Sequence, residues 1–216
     1  MSLAWQKRAL SFYDMLGEIW YAAQYYSRAL SKLELQLQRL NDEGEWEQVK
    51  ANAGNEAALE FIDRIQDPGG NGYSNLLGSY GRLMFLIGEC RLLVRYDDDT
   101  QQEAWEALST EELVQEDRGR WVRYTDPGTK GATYQESEGG APDANSVVVY
   151  RLWRAHPRFS NLPDGPMKGV LDDCEELFLL KMAVRAQARN RAAGSGLLLI
   201  PDEIDFAPPD GQADDA

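Results

Sequence analysis

The chain has 216 residues and a mass of 24.3 kDa, the size of one large domain or two small ones and enough to bury a core. Its 36 acidic against 22 basic side chains give a net charge of -14, which argues against tight binding to DNA or an anionic membrane surface, since neutralising phosphates needs a basic face. One histidine and two cysteines exclude a His-rich zinc site and a His-based facial triad, so no metal and no other cofactor is implied.

Cys90 and Cys174 are far apart in sequence and lie outside any CxxC motif, so reduced, buried thiols are expected. No apolar run reaches the roughly 18 residues of a membrane helix. The N-terminus lacks a basic leader ahead of an apolar stretch, which predicts an intracellular protein with no membrane contact.

Apolar residues recur at Leu16, Ile19, Trp20, Ala23, Tyr26 and Leu30, which predicts one helix over residues 5–30. Phe12, Tyr13, Tyr21 and Tyr25 add to its bulk. Leu33, Leu35 and Leu37 then alternate with Glu34, Gln36 and Gln38, a strand with one wet face. Residues 41–55 are polar and read as a loop. A short helix is expected over 57–65, closed by the breaker Asp67-Pro68-Gly69-Gly70-Asn71-Gly72. Residues 73–87 form a helix with a thick apolar side, Gly88 ends it, and a buried strand follows over 90–96.

Residues 97–117 hold nine acids and no base. Within them Ala104-Trp105-Glu106-Ala107-Leu108 alternates like a strand, and 109–113 turns away from it. A further strand is expected at 120–124, a flexible internal loop at 126–145, and the clearest β segment at 146–153. The clearest helix spans 166–193. Asp164 is placed to cap it and Pro166 takes its first position; Asp172, Asp173, Glu175 and Glu176 load its first turns, and Arg185, Arg189 and Arg191 its last. Leu177, Phe178, Leu179 and Leu180 make its middle apolar nearly all round, which implies burial on more than one side. A strand at 197–200 precedes an acidic, Pro-rich tail at 201–216, expected to be disordered or truncated. The fold class is α+β: helices packed on a small, mostly antiparallel sheet, one domain over 1–200, with one long C-terminal helix.

Clusters that might carry chemistry have plainer accounts. Asp97-Asp98-Asp99 lacks the alternating acids, central Gly and closing Glu of a calcium loop and reads as a solvated turn. Asp172 and Glu176 form a carboxylate pair that the helix macrodipole explains. Gly69-Gly70-Asn71-Gly72 lacks the Lys-Ser/Thr of a phosphate loop. His156, in Trp153-Arg154-Ala155-His156-Pro157-Arg158, has no catalytic partner and reads as a strand-end contact or a subunit interface, with anion binding through its arginines as the alternative. No catalytic site is assigned, and the chain reads as a non-enzyme.

The order of segments resembles the tailed-bacteriophage portal proteins. The aromatic first helix and its hand-over, Tyr25-Tyr26-Ser27-Arg28-Ala29-Leu30-Ser31-Lys32-Leu33-Glu34-Leu35, resemble the opening of that family. The helix and strand between Leu83 and Val94, and then Trp105-Glu106-Ala107-Leu108-Ser109-Thr110-Glu111-Glu112-Leu113, resemble the next steps. The most specific stretch runs from Tyr150-Arg151-Leu152-Trp153-Arg154-Ala155-His156-Pro157-Arg158 through the long helix to Gly194-Ser195-Gly196-Leu197-Leu198-Leu199-Ile200-Pro201. It is similar to the wing region of portals of actinobacterial phages.

The resemblance implies a structural subunit of a homo-oligomeric, dodecameric ring at one capsid vertex. That ring admits double-stranded DNA without sequence-specific contacts and meets the major capsid protein, the large terminase subunit and the head-tail connector. The location implied is the virion, and the host cytoplasm during assembly. Portals are about twice this length, so stem, clip and crown are expected to follow, and the acidic end at Ala216 reads as a truncation or an early stop. Arg185, Arg189 and Arg191 are the residues expected to touch a neighbouring subunit or the DNA backbone. Two other classes stay open: a small acidic adaptor that binds a protein through its aromatic first helix, and a hydrolase built on Asp172 and Glu176 or on the Asp97 cluster.

Overall fold

Leu16, at φ -115° and ψ 112°, divides the N-terminal helical stripe into α1 (Ala4–Met15) and α2 (Gly17–Ser31). This corrects the single helix expected over 5–30. Gly17 is a poor helix former, and the extended backbone at Leu16 lets its side chain drop into the core. Its N–H still donates to Phe12 O at 2.8 Å, and its carbonyl accepts from Ile19 and Trp20, both at 3.1 Å.

The computed structural model describes residues 3–33, 37–41, 44–49, 56, 58–59, 65, 73–97, 102–137 and 146–192. The chain falls into two compact units, Met1–Glu175 and Glu176–Ala216, so the first unit is shorter than the single domain expected over 1–200. The breaker at 67–72, most of the short helix expected at 57–65, the strand at 197–200 and the tail at 201–216 lie outside the described residues.

Downstream of α2, β1 (Gln38–Leu40) pairs antiparallel with β2 (Trp46–Gln48). Residues 46–48 are thus strand where a loop was expected: Gly44, at φ 82°, makes the reversal, and Asn41 Oδ1 accepts the Glu45 N–H at 2.8 Å. The strand expected around Leu33 to Leu37 begins at Gln38, while 34–36 lie outside the described residues.

Next come α3 (Tyr73–Leu86), β3 (Glu89–Asp97) and β4 (Gln102–Leu108). After them run β5 (Leu113–Asp117), β6 (Arg120–Asp126), β7 (Thr129–Glu136) and β8 (Ser146–Trp153). The expected helix from 73 and the strands near 90–96, 104–108, 120–124 and 146–153 are all present. Two strands are additions. β5 follows the turn at 109–112, and β7 occupies 129–136, which corrects the flexible loop expected there. Gly128, at φ 85°, supplies the turn between β6 and β7, and Thr129, Thr133 and Tyr134 suit a strand.

β3 to β8 form one sheet in the order β4-β3-β8-β7-β6-β5. All its pairings are antiparallel except β7–β8, a short parallel contact in which Gln135 faces Ser146 and Glu136 faces Val147. That narrow junction lets β5–β7 fold back over β4–β3–β8. Leu93 and Val147 from one part, with Leu108, then meet Leu113 and Trp121 from the other in a shared core. On the opposite face of β3, Cys90 and Val94 are buried beneath α3. β3 is therefore covered on both sides, which is why its sequence reads as nearly continuous apolar residues broken by arginines.

α2 and α3 meet through glycines. A Cβ at Gly78 would stand 3.1 Å from Ser27 Oγ, and one at Gly81 would stand 2.5 Å from Leu30 Cδ1. After β8, a 3₁₀ turn (Pro166–Val170) leads into α4 (Leu171–Ala192). Pro166 takes the first position as expected, but Gly165, not Asp164, is the cap. The Asp164 carboxylate instead pairs with Lys168 at 3.5 Å.

Candidate interaction surfaces

Helical spacing puts Ala23 against the core and turns Tyr21 and Tyr25 outward. These two tyrosines are 67% and 66% exposed, with Trp20 half exposed beside them. Tyr26 stacks on Phe85 of α3, ring centroids 4.7 Å apart, and meets Tyr25 edge-on at 6.2 Å. Anchoring from beneath therefore holds a rigid aromatic ridge in water, which costs apolar exposure unless a partner covers it.

The second apolar surface lies on α4. Leu179 and Leu180 are 60% and 61% exposed, and Met182 and Val184 are also exposed. Among the described residues this corrects the burial expected from their all-round apolar pattern. That pattern calls for covering atoms, and the described residues do not provide them. Arg185 and Arg189 are exposed on the same helix, and the side chain of Arg191 lies outside the described residues.

Two ionic networks stiffen the sheet. Glu89 is buried and accepts from Arg151 at 2.8 and 3.3 Å and from Gln6 Nε2 at 3.4 Å. Gln6 also donates to Ile87 O at 2.9 Å. In this way α1, β3 and β8 share one carboxylate. On the inner face of the folded sheet, Glu106 of β4 accepts from Arg95 at 3.2 Å and from Arg123 of β6 at 2.6 Å. Arg123 also reaches Glu112 at 3.0 Å. Beside them Arg91 lies over the Trp121 ring, 5.3 Å from its centroid, and donates to Leu113 O. Burial lowers the Arg91 guanidinium from its ordinary range. Burial would lower Arg123 too, but Glu106 and Glu112 outweigh it and raise it. The run of acids at 97–117 is thus partly structural, a feature that sequence composition alone presents as surplus charge.

The two cysteines are free and buried. Burial pushes the Cys90 thiol up to about 12, and burial and Asp173 raise Cys174. Asp172, in the first turn of α4, pairs with Arg8 at 3.0 Å, Glu175 pairs with the same arginine, and Glu176 is exposed. His156 lies beyond β8 with Nδ1 accepting the Arg158 N–H at 3.1 Å, its ring stacked near Phe159. Of the Asp97 cluster, Asp98 and Asp99 lie outside the described residues. Among the described residues no group of three His, Cys, Asp or Glu is placed to hold a metal ion, and no helix is long and apolar enough to cross a membrane.

No protein-family model and no curated protein matches the chain. Its fold does match solved structures. One is a chain of the neck of an empty GTA particle computed with C6 symmetry, with a TM-score of 0.51 and 10% identity. That match covers 87% of this chain and 47% of the other. A chain of the virion of a native gene transfer agent (GTA) particle matches at a TM-score of 0.48 and 10% identity, covering 87% of this chain and 46% of that one. The chain therefore spans about half the length of the structures it resembles, and it shares the α+β fold of the GTA neck chain.

Proposed function

We propose that the chain is the wing part of a portal-type structural subunit, in a ring at the vertex of a phage-like capsid. The observation that carries this reading is the fold shared with the GTA neck chain over 87% of this sequence. It is supported by the order of segments that resembles portal proteins and by two apolar surfaces, on α2 and α4, that stand exposed among the described residues. Head-to-tail contacts in a ring would cover such surfaces. The role is structural rather than catalytic, in a dodecamer that passes double-stranded DNA. The proposed partners are the major capsid protein, large terminase and head-tail connector, and Arg185, Arg189 and Arg191 are the proposed subunit or DNA-backbone contacts. A net charge of -14 suits a conduit through which DNA must slide, because it keeps phosphate contacts few and local.

The test is negative-stain electron microscopy and native mass spectrometry of the whole gene product that carries this chain, with gold labelling of particles. Closed rings at a single vertex are the expected result. A strictly monomeric product with no labelled vertex would overturn the proposal. The exposed ridge on α2 also favours a second reading, an acidic adaptor that docks a protein partner through Trp20, Tyr21 and Tyr25; a stable complex with one unlike protein and no ring would select it.

A further inference from the structure

The loop from β8 to the 3₁₀ turn is held in one conformation by its own backbone. Arg154 N–H donates to Gly88 O at 3.0 Å, Asp164 N–H to Arg154 O at 2.8 Å and His156 N–H to Leu162 O at 2.9 Å. Ala155 bridges to Pro163. Gly88 and Gly165 touch so closely that a Cβ on Gly165 would lie 2.9 Å from Gly88 N. This frame encloses one side of an open cavity of about 470 Å³, lined by Arg154, His156, Lys168 and Asp164 with the backbone of Gly165 and Gly169.

Three nitrogen donors line that cavity in a chain whose net charge is -14. The exposed Arg154 guanidinium has no acidic partner among the described residues. Because His156 Nδ1 accepts the Arg158 N–H, the ring proton sits on Nε2, which makes the remaining nitrogen a donor. Lys168 is held 3.5 Å from Asp164 and 5.7 Å from the centroid of the Trp5 ring. Arg154 and Lys168 outnumber the one carboxylate, so the cavity favours an anion. A carboxylate would be satisfied by the arginine fork alone, whereas a fork, an imidazole N–H and an ammonium together suit an anion with three peripheral oxygens.

We infer that this cavity is a phosphate-group site, with Arg154 as the bidentate donor and His156 Nε2 and Lys168 completing the set. The phosphate belongs either to a nucleic-acid backbone or to a free phosphate. Only the nucleic-acid source rests on the portal reading, so the failure of rings to form would leave the site itself untouched.

His156 is the only histidine in the chain, so its imidazole nitrogen resonances form an unambiguous probe. The whole chain is titrated with inorganic phosphate and, separately, with a short DNA duplex, with chloride at matched ionic strength as the control. A saturable shift of the Nε2 signal is expected, weakened roughly tenfold in Arg154→Gln, the factor that one charge-assisted contact carries. Lys168→Met should weaken it as well, and an unchanged melting temperature would show that each variant still folds. A response to both probes, with phosphate displacing the duplex, assigns a backbone phosphate. A response to phosphate alone assigns a free anion. A shift that chloride reproduces, or an Arg154→Gln titration that matches the wild type, would overturn the inference.

Discussion

Arg123 Nη1 of β6 lies 2.6 Å from Glu106 Oε2 of β4, although four other strands make up the rest of the sheet and the two are not neighbours in its order. The contact exists because the sheet folds at the β7–β8 junction, and it ties the two halves together on the face that holds Leu93 and Trp121. Glu106 is nearly buried, while the Arg123 side chain is 29% exposed. Removing one partner of a buried pair costs about 3–5 kcal/mol, and the partial exposure here reduces that to roughly 2 kcal/mol. Glu106→Gln should lose about that much in urea unfolding, since it removes the carboxylate that Arg95 and Arg123 share and leaves Arg123 with Glu112 alone. The double variant Glu106→Leu with Arg123→Met should lose less than the sum of the single changes. Strict additivity would show that the pair does not couple the two halves.

Gly88 has φ 63°, and a Cβ there would run into the carbonyl of Asp164. Gly128 has φ 85° with nothing within 4 Å of the same position. The two glycines separate backbone strain from collision. Gly128→Ala should cost about 1 kcal/mol. Gly88→Ala should cost more than about 3 kcal/mol or leave no folded protein, because the obstacle is backbone and not a movable side-chain end. Comparable melting temperatures for the two variants would mean that the β8 loop is not seated against the start of β3.

Burial that holds the Cys90 thiol near 12, against an ordinary 9.0, has a sign that can be followed. The folded state keeps its proton while the unfolded state releases it. The contribution is therefore full below pH 9 and is lost as pH rises toward 12, by roughly 1.4 kcal/mol per pH unit. Cys90→Ala should flatten this part of the stability-pH profile relative to the wild type. Neither thiol should react with an alkylating reagent in the native protein at neutral pH, and both should react in denaturant. Rapid native labelling of Cys90 would contradict its burial.

Tyr21 and Tyr25 are about two-thirds exposed among the described residues, so Tyr21→Ser and Tyr25→Ser together should move monomer stability by less than about 0.5 kcal/mol each. They should strongly reduce self-association of the whole gene product in sedimentation velocity. Unimpaired association would remove the α2 ridge from the set of subunit contacts.

Local pattern was enough to reveal the α+β class, the helix from Tyr73, the strands around Leu93, Trp121 and Val148, and the proline that opens the segment into α4. Each depends on neighbours in sequence: periodicity, propensity and cap chemistry. Leu16 shows the limit of the helical stripe, since apolar spacing persists across a break that only a core contact makes favourable. β7 was hidden because Thr129-Lys130-Gly131-Ala132 and a nearby Pro-Gly look like loop composition, and the strand is fixed by its pairing with β6. The acids at 97–117 read as free charge because their partners, Arg95 and Arg123, arrive from other strands. Likewise, Arg154 and His156 stand together in sequence but Lys168 lies twelve residues further on, and only the loop pinned against Gly88 brings all three to one cavity. What composition determined by itself was the acidity and the absence of paired histidines. What tertiary structure decided was which charges are structural and which apolar residues stay exposed, because both depend on atoms distant in sequence.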